Sequence, residues 1–178
     1  MNKFKNFFLI LFLLNQSMCY SDTFKYILHD KCINMLWNQA QLEINNDDIA
    51  IIRDSHGIIL RFSIENLPCE YYNLSSKTIK NLKSVEQFLA KIKNPVIIEV
   101  HTDGASKDII KGLKNWEVST VIANNIESTM SALDKETKRE QIISVGYGEF
   151  LPSKNTPNNG GKFLNRVDII ILCNISGE

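Results

Sequence analysis

The sequence has no excess charge of either sign: 20 lysines and arginines balance 20 aspartates and glutamates. It also lacks a Lys/Arg stripe interleaved with aromatics, so the electrostatic footprint of a nucleic-acid binder is missing. No uninterrupted apolar run reaches the roughly 20 residues that a membrane-spanning helix needs. No internal repeat is visible. No His/Cys/acid spacing suggests a metal site, and no cofactor motif appears. A serine elbow and carboxylates paired as in a glycosidase are absent too, which argues against an enzyme. What is present is a chain of 178 residues, 44% hydrophobic. That is enough for one core of ordinary size and a short extra segment.

The N-terminus reads as an export signal spanning residues 1–21. Lys3 and Lys5 form a positive start, Phe7 to Leu14 an apolar stretch, and Asn15 to Met18 a short polar exit. Two processing routes stay open. Cys19 sits where a bacterial lipoprotein carries its acyl chains, whereas the small residues Ser17, Cys19 and Ser21 equally suit an ordinary signal peptidase. Export places the remaining cysteines, Cys32, Cys69 and Cys173, where pairing is possible. The pair expected, if any, is Cys32 with Cys69. Cys173 alternates in phase with Val167, Ile169 and Ile171 and reads as a core thiol.

Residues 22–47 read as an arm and linker with one short helix. Ile49 to Arg53 and Ile58 to Ile64 read as a hairpin or a bent strand with its turn at Asp54-Ser55-His56-Gly57, which makes His56 a turn residue. Ser75 or Ser76 caps a helix carrying Ile79, Leu82, Val85, Leu89 and Ile92 at helical spacing, stopped by Asn94-Pro95. A strand from Val96 to Val100 follows. The next helix runs from about Trp116 to Leu133 with Val118, Ile122, Ile126 and Met130 on one stripe. Gln141 to Val145 and Arg166 to Cys173 are the last strands, separated by a loop rich in Asn, Pro and Gly. The expected fold class is therefore α/β: a sandwich of order βαβαββ with helices packed on a mixed sheet.

The strand Val96 to Val100 ends abruptly in His101-Thr102-Asp103. A strand buried on both faces needs no carboxylate at its tip, but a binding site built at the end of a sheet does. Asp103 can hold a ligand ammonium or close an Asx turn. His101 reads as packed or capping.

Four stretches in order, "EVHTDG" at Glu99 to Gly104, "NWEVS" at Asn115 to Ser119, "SVGYGEFLP" at Ser144 to Pro152 and "NRVDIII" at Asn165 to Ile171, resemble the OmpA/MotB C-terminal domain family. The resemblance covers about residues 48–175. That family includes peptidoglycan-associated lipoproteins, flagellar stator subunits and small lipoproteins of secretion machines of the Dot/Icm type. The resemblance implies non-covalent binding of peptidoglycan through the diaminopimelate of its stem peptide. Asp103 would take the ligand ammonium, while Asn115 and Ser119 at the helix start, with Asn165 and Arg166, would serve the rest of the ligand. For Asn115 and Ser119, capping of their own helix is an equal alternative, and for Arg166 a solvated ion pair is.

The sequence departs from the family at one telling place. Where the family's helix carries the arginine that grips the ligand carboxylate, this chain has Ile122, and an aliphatic side chain donates no hydrogen bond. The closing Asn-Arg-Arg-Val is also one arginine short. Of the cations that could substitute, Arg166 comes before Lys111, Lys114 and Lys162, because a lysine replaces a bidentate fork poorly. Two functions follow as expectations. One is a periplasmic peptidoglycan-binding module, held to the outer membrane if Cys19 is acylated. The other is a structural subunit of an envelope-spanning complex whose wall site is weakened or lost.

Overall fold

The computed structural model describes residues 25–64, 74–102, 113–133, 142–150 and 165–173. In chain order the elements are helix α1 over 25–43, strands β1 (Ala50–Asp54) and β2 (Gly57–Ser63), helix α2 (Ser76–Leu89), strand β3 (Val96–His101), helix α3 (Asn115–Leu133), and strands β4 (Ile142–Gly148) and β5 (Arg166–Leu172). The α/β class, with helices packed on a mixed sheet, agrees with the sequence reading; the sheet has five strands, one more than the order βαβαββ counts, because residues 50–63 form the two strands of a hairpin. The sheet order is β1-β2-β5-β3-β4. Only β3 and β4 run parallel, and α3 provides the crossover between them, as a parallel pair requires.

Period-two alternation sorts the strands into two faces. Ile58, Leu60, Phe62, Val96, Ile98, Val100, Val167, Ile169 and Ile171 are almost fully buried. They share one core with Leu36 and Ala40 of α1, Leu82, Val85, Phe88 and Leu89 of α2, and Val118, Ile122, Ile126 and Met130 of α3. On the opposite face, Ile52, Ile59, Ile170, Ile97 and Ile143 stand directly opposite one another across all the strands. One step along, the next row changes character: Arg61, Asp168 and Glu99 are in register.

The local chemistry explains the boundaries. The Ser75 hydroxyl accepts the N–H of Thr78 and caps α2. Lys114 and Glu117 form the equivalent device on α3, where Glu117 Oε2 accepts the Lys114 backbone N–H at 2.6 Å. In the β1–β2 turn, Asp54 Oδ1 accepts the N–H of His56 at 2.9 Å, which confirms His56 as a turn residue. Burial pushes the Asp54 carboxyl up, but its bonds to His56 outweigh that and hold it below its ordinary range.

Two expectations at the N-terminal end need correction. The helix expected to be short runs across 25–43, with Leu36 and Ala40 fully buried. Its inward residues Ile33, Leu36 and Ala40 do keep helical spacing, but the exposed Tyr26, Ile27, Leu28, Met35 and Leu42 obscure that stripe in the sequence. The second correction concerns the cysteines: Cys32 is bonded to Cys173, with Cα atoms 5.9 Å apart. Alternation does aim Cys173 inward, as expected. α1, however, lays Cys32 against the end of β5, so the residue is a staple and not an inert thiol. Cys69 lies outside the described residues. Arg53 adds a second clasp, its guanidinium 4.8 Å from the centre of the Trp37 ring.

Candidate functional site

The ends of β3 and β4 meet the start of α3, and a closed set of hydrogen bonds locks the three together. Thr102 N donates to Gly148 O at 3.1 Å, and Gly148 N donates to Ser119 Oγ at 2.9 Å. Ser119 Oγ in turn donates to Trp116 O at 2.9 Å. Asn115 Nδ2 donates to Thr102 O at 3.1 Å, and the Thr102 hydroxyl donates back to Asn115 Oδ1. Thr102, Asn115 and Ser119 are all buried. Such satisfied polar groups hold geometry rigidly, because any bond broken inside leaves an orphan.

The two glycines of the β4 end make this approach possible. A Cβ on Gly146 would overlap the backbone of Ser119 and Thr120. Gly148 has φ +56°, a left-handed conformation in which other residues are strained, and a Cβ there would lie 2.9 Å from Trp116 N. The first turn of α3 therefore lies directly on the β4 backbone. Thr102, just past the end of β3 and one residue short of Asp103, is bonded to that helix N-terminus, where backbone N–H groups and the helix dipole favour anions.

Of the residues expected to bind, Asp103 lies outside the described residues, as do Cys19, Lys111 and Lys162. Asn115 and Ser119 stand at the helix start as expected, and both are engaged in the lock just described. Asn165 accepts the N–H of Ile64 through its carbonyl at 2.9 Å. Ile122, in the place of the family's arginine, is 5% exposed and belongs to the core. The plain reading of its stripe position therefore holds.

Arg166 is not a solvated surface arginine. It is buried on the face away from the helices, and its Nε donates to Asp168 Oδ2 at 3.1 Å. Burial lowers its pKa from the ordinary value, partly offset by Asp168. Arg61 grips the same carboxylate bidentately, Nε to Oδ1 at 2.6 Å and Nη2 to Oδ2 at 2.8 Å. His101 completes the cluster. It is 3% exposed and stacks on Tyr147 at 5.3 Å and 11°. Its Nε2 faces Glu99 Oε2 at 3.4 Å and Asp168 Oδ2 at 3.7 Å, without a hydrogen bond on either ring nitrogen. Burial, and then the neighbouring Glu99 carboxylate, raise the Tyr147 phenol above its usual range.

Ligand-type atoms of Glu99, His101 and Asp168 lie within 4.8 Å of one another. Yet Asp168 Oδ2 already accepts from two guanidiniums, and a dication there would face Arg61 and Arg166 at close range. The chemistry is that of an ion-pair network. The sequence reading missed it, although a signal existed: Arg61, Glu99, His101 and Asp168 occupy alternate positions in otherwise apolar strands, all on one face.

Beside the lock, Leu113, Lys114, Asn115, Trp116, Glu149 and Phe150 line a half-open cleft of about 380 Å³. Trp116 is 43% and Phe150 71% exposed. Together the lock and the cleft form a rigid, concave end to the sheet, suited to recognition; they assemble no nucleophile with a base.

The sequence matches no family model, and no curated protein matches it. Solved structures do. A MotB-like protein from Desulfovibrio vulgaris is similar with a TM-score of 0.62 at 18% identity, over 82% of this chain and 94% of that one. The cell wall anchor of the T6SS from Pseudomonas aeruginosa gives 0.60 at 16% identity, over 78% and 97%. An outer membrane protein from Borrelia burgdorferi B31 gives 0.52 at 27% identity, over 72% and 100%. The chain has the OmpA/MotB-like fold.

Proposed function

We propose that the protein binds peptidoglycan non-covalently in the periplasm and anchors the outer membrane, or an envelope complex, to the cell wall through the diaminopimelate stem peptide. The observation that carries this reading is the lock of Thr102, Asn115, Ser119 and Gly148. It fixes the strand end that leads into Asp103 against the N-terminus of α3. Diaminopimelate offers an ammonium and a carboxylate on one carbon. Asp103 supplies the partner for the first, and the helix N-terminus a favourable field for the second. With Ile122 in the core and Arg166 bonded to Asp168, the helix end takes over the part that an arginine plays in the family. The fold is shared with a protein described as a cell wall anchor, which supports the same reading. Cys19, if acylated, supplies the outer-membrane tether. Asn165 and Arg166 act in this account through the strand that they begin.

A pulldown of residues 22–178 on purified peptidoglycan, with and without Asp103→Ala, tests the proposal. The wild-type chain is retained and the variant is retained about ten- to a hundredfold less, the loss of a charge-assisted bond of roughly 1.5–3 kcal/mol. Equal retention of a folded variant would refute the role of Asp103.

One observation favours a second reading. The burial of Ile122 removes the family's carboxylate grip, which is what a structural subunit of a secretion-type envelope complex, Dot/Icm-like among them, would tolerate.

A further inference from the structure

α1 starts before its contact with the core does. Residues 25–31 are exposed apart from a half-buried His29, and the first inward residues are the half-buried Cys32 and the buried Ile33. Three of the exposed residues, Tyr26, Ile27 and Leu28, are large and apolar, at 68%, 46% and 39% exposure. They are consecutive, so at about 3.6 residues per turn they cover more than half of the helix circumference. An end that is apolar most of the way round packs badly against a single neighbouring helix, but it suits insertion into a soft apolar layer. Lys25 and Lys31 flank it, both exposed, and outnumber Asp30. An apolar tip between lysines fits the boundary between acyl chains and anionic headgroups. A second copy's helix is the competing occupant. Leu28, Met35 and Leu42 do fall on one line at heptad intervals, but the line is flanked by exposed Lys31 and Asn38 and lacks the second apolar position that a coiled coil needs in each heptad.

The position of this tip points the same way. Cys32 is bonded to Cys173, just past the end of β5, and Cys173 N donates to His56 O in the β1–β2 turn at 2.8 Å. β5 starts at the other end of the sheet, where Arg166 lies opposite His101 at the end of β3. α1 is therefore fastened at the opposite end of the sheet from the lock of Thr102, Asn115 and Gly148, and its first two turns precede that fastening. Cys19, the proposed point of acylation, lies so few residues before Tyr26 that an extended chain between them reaches only about 25 Å. No described helix is long and apolar enough to cross a membrane. We propose that the start of α1 is a bilayer seat, in which Tyr26, Ile27 and Leu28 enter the interface of an anionic phospholipid leaflet while Lys25 and Lys31 meet its headgroups. The disulfide then makes the seat rigid with the sheet, and the lock is turned away from the lipid. The inference rests on the membrane tether of the reading above and not on diaminopimelate binding.

The test places the full-length protein, in its exported form, on vesicles of phosphatidylethanolamine with roughly a quarter phosphatidylglycerol. Binding is read by co-sedimentation, and depth by quenching of tryptophan emission with brominated acyl chains. The substitutions on α1 all replace exposed side chains, and circular dichroism checks the fold. Relative to wild type, Ile27→Trp is expected to add emission that the brominated lipid quenches, whereas Gln41→Trp, about 20 Å farther along the helix, adds emission that it does not. In a Cys19→Ala background, which removes any acyl chain, Ile27→Ser with Leu28→Ser should weaken vesicle binding about tenfold or more. Lys25→Glu with Lys31→Glu should weaken it by about the same factor, a loss that disappears on neutral phosphatidylcholine. Sacculus binding should be unchanged in every variant. Vesicle-bound protein whose Ile27→Trp emission escapes quenching would overturn the seat while leaving the acyl tether standing. Vesicle binding by Cys19→Ala that ignores both double substitutions would overturn it too. If the serine variant instead shifts a monomer–dimer equilibrium in the absence of lipid, the tip is a contact between copies and the lipid assignment falls. Failure of the wild-type protein to bind vesicles at all would overturn the seat and the tether together, with wall binding untouched.

Discussion

Ser119 and Gly148 are joined by a single buried hydrogen bond, in which the Gly148 N–H donates to Ser119 Oγ at 2.9 Å. Through that bond the second turn of α3 holds the last residue of β4. Ser119→Ala removes the acceptor without adding bulk and leaves a buried donor orphaned. Chemical denaturation should show a loss of about 1–3 kcal/mol. Gly146→Ala should cost more, because its Cβ would overlap backbone that cannot rotate away.

The ion-pair cluster predicts a compensating set. Arg61→Met leaves the buried Asp168 carboxylate without its bidentate partner, and removing one member of such a pair costs about 3–5 kcal/mol. Adding Asp168→Leu together with Arg166→Met, because the buried Arg166 shares that carboxylate, should recover much of that loss in the same denaturation assay. No recovery would mean that the packing of the Arg61 stem, not the charge pair, holds β2 to β5.

Tyr147 gives a pH dependence with a definite sign. Its phenol is raised by burial first and by Glu99 second, so the folded state favours the neutral form. The stability this contributes is present below about pH 10, the ordinary tyrosine value, and is lost as pH rises through the higher folded value. Thermal melts should therefore fall above pH 10, and Tyr147→Phe should lessen that fall.

The Cys32–Cys173 bond closes a sequence separation of 141 residues between α1 and the end of β5. Reduction, or Cys32→Ser, should lower stability by about 2–5 kcal/mol. Denaturation with and without reductant measures it. No effect of reductant would contradict the pairing.

The strands and the two later helices were legible because their periods are clean: alternation in Ile58 to Ile64 and Arg166 to Cys173, and a 3–4 spacing in Val118, Ile122, Ile126 and Met130. The same stripe correctly buries Ile122. What was not legible depended on contacts between distant segments. Cys32 reaches Cys173 only because α1 docks, and nothing local to either residue says so. Asn115 and Ser119 were placed at the helix start, yet whether they cap, lock or bind depends on where Thr102 and Gly148 lie. The Arg61–Asp168 pair needs the register of β2 on β5, which no single strand reveals.

Ile122→Arg probes whether the family's grip can be restored. Because Ile122 is 5% exposed within the core, the new guanidinium would be buried without a partner, at a cost of several kcal/mol. The expected result is a lower melting temperature with no gain in affinity for wall fragments. A folded variant that binds more tightly would show a pocket still open at this position.

The central claim is that this chain holds the cell wall through diaminopimelate. Sedimentation of the protein with purified sacculi under increasing free diaminopimelate tests it most directly. The account predicts that the protein pellets with the wall and is released as the free amino acid rises; a protein that stays in the supernatant, or pellets and is not displaced by diaminopimelate, would contradict it.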